Sequence, residues 1–422
     1  MIKKENIIDY FKEYEELRVE MIPRELKVPL TSNFIISLIG PRRAGKTYYF
    51  FSLANQVRDF TYLNFEDSRL YGARYDEIRE ILRTFIELYG REPKYLFFDE
   101  VQNVEKWEII VRELHDLKKY RIFLTGSSSK LLAKEIATQL RGRTLSFLLL
   151  PFSFREYLVA KKVSLEKYLS KDKQAKLKNL LRDYLEFGGF PDVVMNKEKL
   201  NILKEYSDLI LFRDFIERHK VKNIELARFI HSFIIQNFSN EISVRSIFNK
   251  LKSMKIKISK DSVYNYVEKL EDTVFFFFLK RFSKKVHLRE AWPRKVYSCD
   301  TGIAKIVRFS PDYGRLMENC VFLELIREKN KNPLAEVFYL KLNNKEIDFL
   351  IKVGEKIHQL IQVSYASNRD EIEKKDIDSL VKGASELKCN NLLFLTWDYE
   401  EEIKVENKKI VFKPLWKWLL KV

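Results

Sequence analysis

Cysteine is scarce in this chain. Cys299, Cys320 and Cys389 are its three thiols in 422 residues. They are odd in number and set far apart, so neither a disulfide framework nor a zinc-type ligand spacing is available. They read as free thiols of a reducing cytoplasm. Long apolar runs are also missing: Val274 to Leu279 is among the longest, against the ~18 residues that a membrane-crossing helix needs. The start, Met1-Ile2-Lys3-Lys4-Glu5, is charged and has no apolar stretch behind it. The expectation is therefore no secretion signal, no membrane and a cytoplasmic location. No low-complexity tract and no internal repeat interrupts the sequence. Acidic residues are in deficit, with 60 Asp and Glu against 77 Lys and Arg, for a net charge of +17.

What is present is enough to fold. At 46% apolar and 14% aromatic residues the chain can bury substantial cores, which excludes general disorder. Its length suggests roughly three domains. The excess charge is not spread evenly. From Arg245 to Lys295 there are 14 Lys and Arg against 5 Asp and Glu, so more than half of the surplus lies in about an eighth of the chain. Such a concentration points to a surface that faces a polyanion, although a lysine-rich composition alone gives some of the same bias.

The most specific motif is Gly40-Pro41-Arg42-Arg43-Ala44-Gly45-Lys46-Thr47, which fits G-x-x-x-x-G-K-[ST]. An apolar run, Phe34 to Ile39, precedes it as a strand, and a helical segment, Thr47 to Val57, follows. A strand, a glycine loop and a helix are the context that phosphate binding requires. Backbone N–H groups turn inward around a phosphate at the helix N-terminus, Lys46 reaches the β- and γ-oxygens, and the Thr47 hydroxyl ligates Mg²⁺. About fifty residues on, Tyr95-Leu96-Phe97-Phe98-Asp99-Glu100 is an apolar strand that ends in two acids. Asp99 is placed to hold the magnesium through water, and Glu100 to orient and deprotonate an attacking water. Nucleotide hydrolysis is the chemistry expected.

Strands at 34–39, 60–65, 95–99, 121–125 and 145–149 alternate with helical segments. This pattern argues for an α/β core, a parallel sheet with helices on both faces. The site is expected beyond the carboxyl ends of its strands. The fourth strand runs into Gly126-Ser127-Ser128-Ser129, where Ser127, or else Thr125, is placed to sense the γ-phosphate or the lytic water; a simple helix cap fits equally well. Arg141 and Arg143 precede the fifth strand. Either neutralises transition-state charge, in cis or across a subunit boundary, or is a surface charge on a turn. Arginines in the first role are worth about 10³ to 10⁵ in rate.

From Pro151 to about Lys220 the pattern is helical and charged, interrupted by Phe187-Gly188-Gly189-Phe190-Pro191, a turn. Residues 221–300 have the order of a winged helix-turn-helix. Ser243 caps one helix, and a second begins near Lys260 with Val263, Tyr266, Val267 and Leu270 inward and Asn265 and Lys269 outward. A strand over 273–279, a basic tip from Lys280 to Arg289 that includes Lys284 and Lys285, and a returning strand over 295–298 complete it. A polar helix face beside a basic hairpin suits a DNA groove, duplex or branched, with Asn265, Lys269, Lys284 and Lys285 as contacts. The competing use is packing against a protein or coupling to the nucleotide state. The last 120 or so residues form another α/β unit, with a helix at 318–329 and strands at 337–342, 346–353 and 356–363.

Taken together the motifs resemble the prokaryotic, archaeal-type AAA+-like ATPases. The matching segments are Gly40 to Thr47, Asp99 to Trp107, Leu124 to Ser128, Leu140 to Arg143, Pro151 to Glu156, Gly188 to Pro191 and Lys295 to Gly302. The resemblance implies a P-loop ATPase core (1–150), a helical lid (151–220), a winged helix (221–300) and a tail of restriction-nuclease type (301–422). It implies ATP with Mg²⁺, a Pro191 turn over the adenine, and possible assembly with copies of itself or with a protein partner. No guanine-reading Asn-Lys-x-Asp sequence stands out. In the tail Glu324, Asp348 and Gln362 align with the acids and amide of such nucleases, but Ser364 stands where the lysine belongs. Lys352 replaces it only if its strand faces the same cleft. A nuclease-shaped tail without cleavage activity is expected.

Overall fold

A computed structural model describes residues 2–16, 20–126, 138–164, 170–307, 311–343 and 345–422. The chain divides into two compact units, Met1–Leu149 and Leu150–Val422.

The first unit is built on five short strands, β1 (Ile35–Ile39), β2 (Phe60–Asn64), β3 (Tyr95–Asp99), β4 (Arg121–Thr125) and β5 (Thr144–Leu148). All pair in parallel in the order β2-β3-β4-β1-β5. Four of the five are nearly continuous apolar runs because the sheet is covered on both faces. Alternation along β3 sends Leu96 and Phe98 to one core with Ile110 and Val111, and Phe97 to the other with Phe50 and Leu53. Helices α1 (Lys4–Glu16), α3 (Glu77–Tyr89) and α4 (Trp107–Asp116) supply the first core, and α2 (Lys46–Ala54) the second. Strand β4 is inserted between β1 and β3. The carboxyl ends of these three strands therefore lie side by side on one edge, which is where the site is built.

The second unit begins with α5 (Phe154–Ala160), whose N-cap Ser153 and Glu156 close a reciprocal capping box. It continues through α6 (Lys171–Phe187), α7 (Pro191–Met195), α8 (Lys199–Leu209) and a π-helical turn at Ile210–Glu217. The break between α6 and α7 has a tertiary cause. A Cβ on Gly188 would lie 1.6 Å from the Asp300 carboxylate, and Gly188 itself has φ +77°. Asp300 accepts hydrogen bonds from the N–H groups of Gly189 (2.7 Å) and Gly302 (2.9 Å). Burial pushes its carboxyl up to about 6, against those bonds. The paired glycines thus admit a buried carboxylate.

Then come α9 (Ile224–Gln236), β6 (Glu241–Ile242), α10 (Val244–Ser253), α11 (Lys260–Asp272), β7 (Phe276–Leu279), α12 (Val286–Ala291) and β8 (Arg294–Ser298). The three strands pair in the order β6-β8-β7. Ser243 and Ser259 cap α10 and α11 through the N–H groups of Ser246 and Ser262. The tail holds α13 (Tyr313–Lys329), β9 (Ala335–Leu342), β10 (Lys345–Val353), β11 (Lys356–Val363), α14 (Lys374–Leu387), β12 (Leu392–Thr396), β13 (Glu401–Val405), β14 (Lys408–Pro414) and α15 (Leu415–Leu420). Its six strands form a mixed sheet, β13-β14-β12-β11-β10-β9.

Candidate functional site

The glycine loop leaves β1 and enters α2 in a conformation its sequence enforces. Gly40 passes so close to the returning strand that a Cβ there would sit 2.0 Å from the Leu149 carbonyl oxygen. Lys46 is buried, and its ammonium donates to the carbonyls of Gly40 (3.0 Å) and Pro41 (3.2 Å). The loop is braced from outside by Arg24, which donates to the Ala44 carbonyl (2.9 Å), and by an Arg42–Glu66 ion pair (3.3 Å). Arg43 adopts the left-handed conformation, φ 64°.

Thr47, in the first turn of α2, donates to Asp99 Oδ2 at 2.6 Å. That one contact joins the loop to the end of β3. The Tyr62 hydroxyl also donates to Oδ2 (2.7 Å), and the Thr125 hydroxyl donates to Oδ1. Burial and the charge of Glu100 raise the Asp99 carboxyl above its ordinary range, while the three hydroxyls oppose the shift. Glu100 follows in the left-handed region (φ 54°, ψ 47°). A non-glycine residue there carries about 1–2 kcal/mol of strain, of the kind functional sites keep. Its N–H donates to Thr125 Oγ1 (3.0 Å), and Gln102 Nε2 donates to its Oε2 (2.6 Å). Thr125 therefore holds the Asp99 carboxylate and the Glu100 backbone with one hydroxyl.

The donor set fits Mg·nucleotide. A hydroxyl and a carboxylate already in contact offer the hard oxygen ligands magnesium prefers, and a buried lysine on the loop carbonyls is within the cradle a phosphate would enter. Thr47 and Asp99 would hold the ion and Lys46 the phosphates. Sequence reading missed Tyr62 and Arg24, and ranked Thr125 second to Ser127, which lies outside the described residues.

Other expected residues stand elsewhere. Arg143 is at the entry of β5, where its carbonyl accepts from the Ile35 N–H (2.8 Å) and its Nε meets Asp116 (3.2 Å). This is the opposite end of β1 from the glycine loop, so a role in cis is excluded by a strand's length. Pro191 is the first residue of α7, in the second unit. On α11, Asn265 is exposed and Lys269 is half-buried, donating to the His219 carbonyl at 3.5 Å. The basic tip is more internally committed than its charge suggests. Lys280 pairs with Glu290, Arg281 donates to the Lys341 carbonyl and Arg289 to that of Ser283. Part of the tip is the helix α12 rather than a hairpin. Lys284 and Lys285 remain exposed.

The alignment proposed for the tail needs correction. Glu324 binds Arg155 (2.5 Å) and Arg327 (3.2 Å), not Asp348. The α13 acid that shares a partner with Asp348 is Glu318, six residues earlier. At about 100° per residue this is a different helix face. Gln362 Oε1 accepts from the Asp348 N–H at 3.4 Å. Lys352 pairs with Glu336 and does not replace the missing lysine. Among the described residues no group of three or more His, Cys, Asp or Glu is arranged to hold a metal ion, and no helix is long and apolar enough to cross a membrane.

Three family models match in succession: an AAA domain over residues 32–158, a domain of unknown function (DUF8612) over 178–312 and another (DUF4143) over 313–417. The uncharacterized protein MJ1544 of Methanocaldococcus jannaschii is 40% identical over 417 residues, covering 96% of this chain and 92% of its own length. An uncharacterized Haemophilus influenzae protein is 28% identical over 402 residues, covering 91% and 94%. Among solved structures, a signal transduction ATPase with numerous domains from Pyrococcus horikoshii matches with TM-score 0.26 and 12% identity, over 75% of this chain and 50% of that one. Cdc6p of Pyrobaculum aerophilum matches with TM-score 0.27 and 14% identity, over 76% and 83%.

Proposed function

The chain belongs to the family of the Methanocaldococcus jannaschii protein MJ1544 and carries an AAA domain at residues 32–158, and from this premise we propose that it is a Mg²⁺-dependent ATPase whose nucleotide state governs DNA binding through its basic segment. The observation that carries the reading is the 2.6 Å contact of Thr47 with Asp99, which brings the glycine loop and the acid pair into one site.

When bound, magnesium neutralises charge on the phosphate oxygens. Lys46 exchanges the Gly40 and Pro41 carbonyls for those oxygens. Glu100, oriented by Gln102, accepts a proton from the attacking water. Thr125 fixes the separation of Asp99 from the Glu100 main chain, so a change at the metal ligand is passed to the base. Arg143 belongs to a neighbouring copy's site in a homo-oligomer, because its own chain holds it at the far edge of the sheet. The DNA surface uses Asn265 on α11 with Lys284 and Lys285, the cationic pair left exposed on the tip.

The second reading is a slow switch that recruits a protein partner. It is favoured by the internal pairing of Lys280, Arg281 and Arg289, which thins the cationic surface. The test is the ATPase rate with and without duplex, forked and single-stranded DNA, with Lys46→Ala as blank. Stimulation by DNA supports the first reading. A rate that no DNA changes, with nucleotide-dependent assembly instead, supports the second.

A further inference from the structure

One buried cation in the second unit is unlike the others. Lys295, on β8, is 3% exposed, yet it does not snorkel to solvent. Its Nζ lies 2.7 Å from Glu346 Oε1, 2.8 Å from Glu318 Oε1 and 3.0 Å from Asp348 Oδ1. The ammonium donates hydrogen bonds to Glu318 and Asp348 and forms an ion pair with Glu346. Glu318 comes from α13, and Glu346 and Asp348 are two residues apart on β10; all three have an oxygen within 3.0 Å of this nitrogen. Their other oxygens and neighbours are also fixed. Tyr297, two residues along β8, donates to Glu318 Oε1 (2.6 Å), and the Val363 N–H donates to Asp348 Oδ2 (3.0 Å). Gln362 adds an amide oxygen beside Asp348.

The charges do not balance. Three carboxylates surround one ammonium, and the imbalance shows in their neighbourhood. Burial, opposed by Lys295, pushes the Glu318 carboxyl up to about 7. Burial and the charges of Asp348 and Glu373 push Asp376 up to about 6. Burial acts to lower the Lys295 ammonium, but the neighbouring carboxylates outweigh it and hold the group well above its ordinary value. The centre is short of positive charge, and its three carboxylate oxygens are hard donors of the type a divalent cation takes, although as they stand around the ammonium they are not arranged to hold a metal ion. Its edge is open, because the Glu346 side chain is one-third exposed.

We infer that Lys295 is the resident cation of this seat, an ammonium supplied by β8 that takes the place of a divalent ion among Glu318, Glu346 and Asp348. The wild-type tail consequently needs no metal to hold its acids together and binds none there. The same contacts tie the three-stranded sheet to the six-stranded one, since the cation is on β8 and two of its ligands are on β10. Replacing the ammonium by calcium requires each oxygen to close in by only about 0.4 Å, to the 2.3–2.6 Å range of that ion. The Lys295 cluster is independent of nucleotide binding, and no nucleotide is needed to probe it.

The experiment titrates Ca²⁺ into nucleotide-free, chelator-treated full-length protein by calorimetry near neutral pH, with thermal melts in parallel. Wild type, Lys295→Met and Lys295→Met with Asp348→Asn are compared. The expected result is one additional Ca²⁺ per chain in Lys295→Met relative to wild type. Calcium also raises the melting temperature of that variant, and both effects vanish when Asp348→Asn is added. Equal calcium stoichiometry in wild type and Lys295→Met overturns the inference. A variant with Lys295→Met, Glu318→Gln and Asp348→Asn guards against misfolding, since it removes the unbalanced charge. If that variant folds while Lys295→Met fails to fold with and without calcium, the inference is also overturned.

Discussion

Thr125→Val removes one hydroxyl and almost no volume, and it isolates the link between the metal ligand and the base. The Thr125 hydroxyl donates to Asp99 Oδ1 and accepts from the Glu100 N–H at 3.0 Å. Valine keeps the β-branched shape that β4 favours but leaves a buried carboxylate oxygen and a buried N–H each one bond short. Each unmade bond costs about 1–3 kcal/mol, so about 3 kcal/mol is expected in all. In a unit of this size that is a fall of about 10 °C in melting temperature. If half the cost is felt in the transition state, about 1.5 kcal/mol, kcat falls about tenfold. KM for Mg·ATP stays close to wild type, because Asp99 and Glu100 already use the hydroxyl. Thr125→Ser restores both stability and rate. Thermal melts and steady-state hydrolysis measure this directly, and a Thr125→Val protein with wild-type kcat and melting temperature refutes the coupling.

Glu100→Gln keeps nucleotide affinity but lowers turnover by about 10² to 10⁴, the usual worth of a positioned base; wild-type turnover in rapid-quench assays removes Glu100 from that role. Changing Lys284 and Lys285 to Gln weakens duplex binding and flattens the log-log salt dependence by about 0.9 per lost phosphate contact, up to about 1.8; an unchanged slope takes the tip out of the interface. His231 is stacked on Phe275 at 5.8 Å, and burial lowers its imidazole to about 4. The unfolded chain protonates it near 6.5, so stability is lost as pH falls from about 6.5 to 4, by about 3 kcal/mol. His231→Phe removes that share of the acid sensitivity, which urea unfolding at pH 7 and pH 4.5 measures; identical losses in both proteins contradict the assignment.

The parallel-sheet core was legible because local signals agree there. Apolar β-forming runs end at the glycine loop and at Asp99-Glu100, and the five strands fall within a residue or so of their expected bounds. Tyr62 and Arg24 were not legible, since their contacts depend on strand register and loop packing that no spacing encodes. The helix acid of the tail failed for a related reason. From Leu316 to Leu325 every residue of α13 is buried, so periodicity does not say which face meets β10. Glu318 and Glu324 are then indistinguishable by pattern. Lys295 was read with the basic segment around it, although it is the least exposed of that segment's charges. The glycine pair at 188–189 read as a plain turn because its reason, Asp300, is more than a hundred residues away.

Calorimetric titration of Mg·ATP into wild type and Lys46→Ala tests the central claim most directly. The account predicts one saturable site per chain in wild type, no measurable heat in Lys46→Ala, and a loss of the magnesium requirement's benefit in Asp99→Ala. Equal binding in wild type and Lys46→Ala would place the nucleotide somewhere other than the junction of Thr47 with Asp99, and the account would fail.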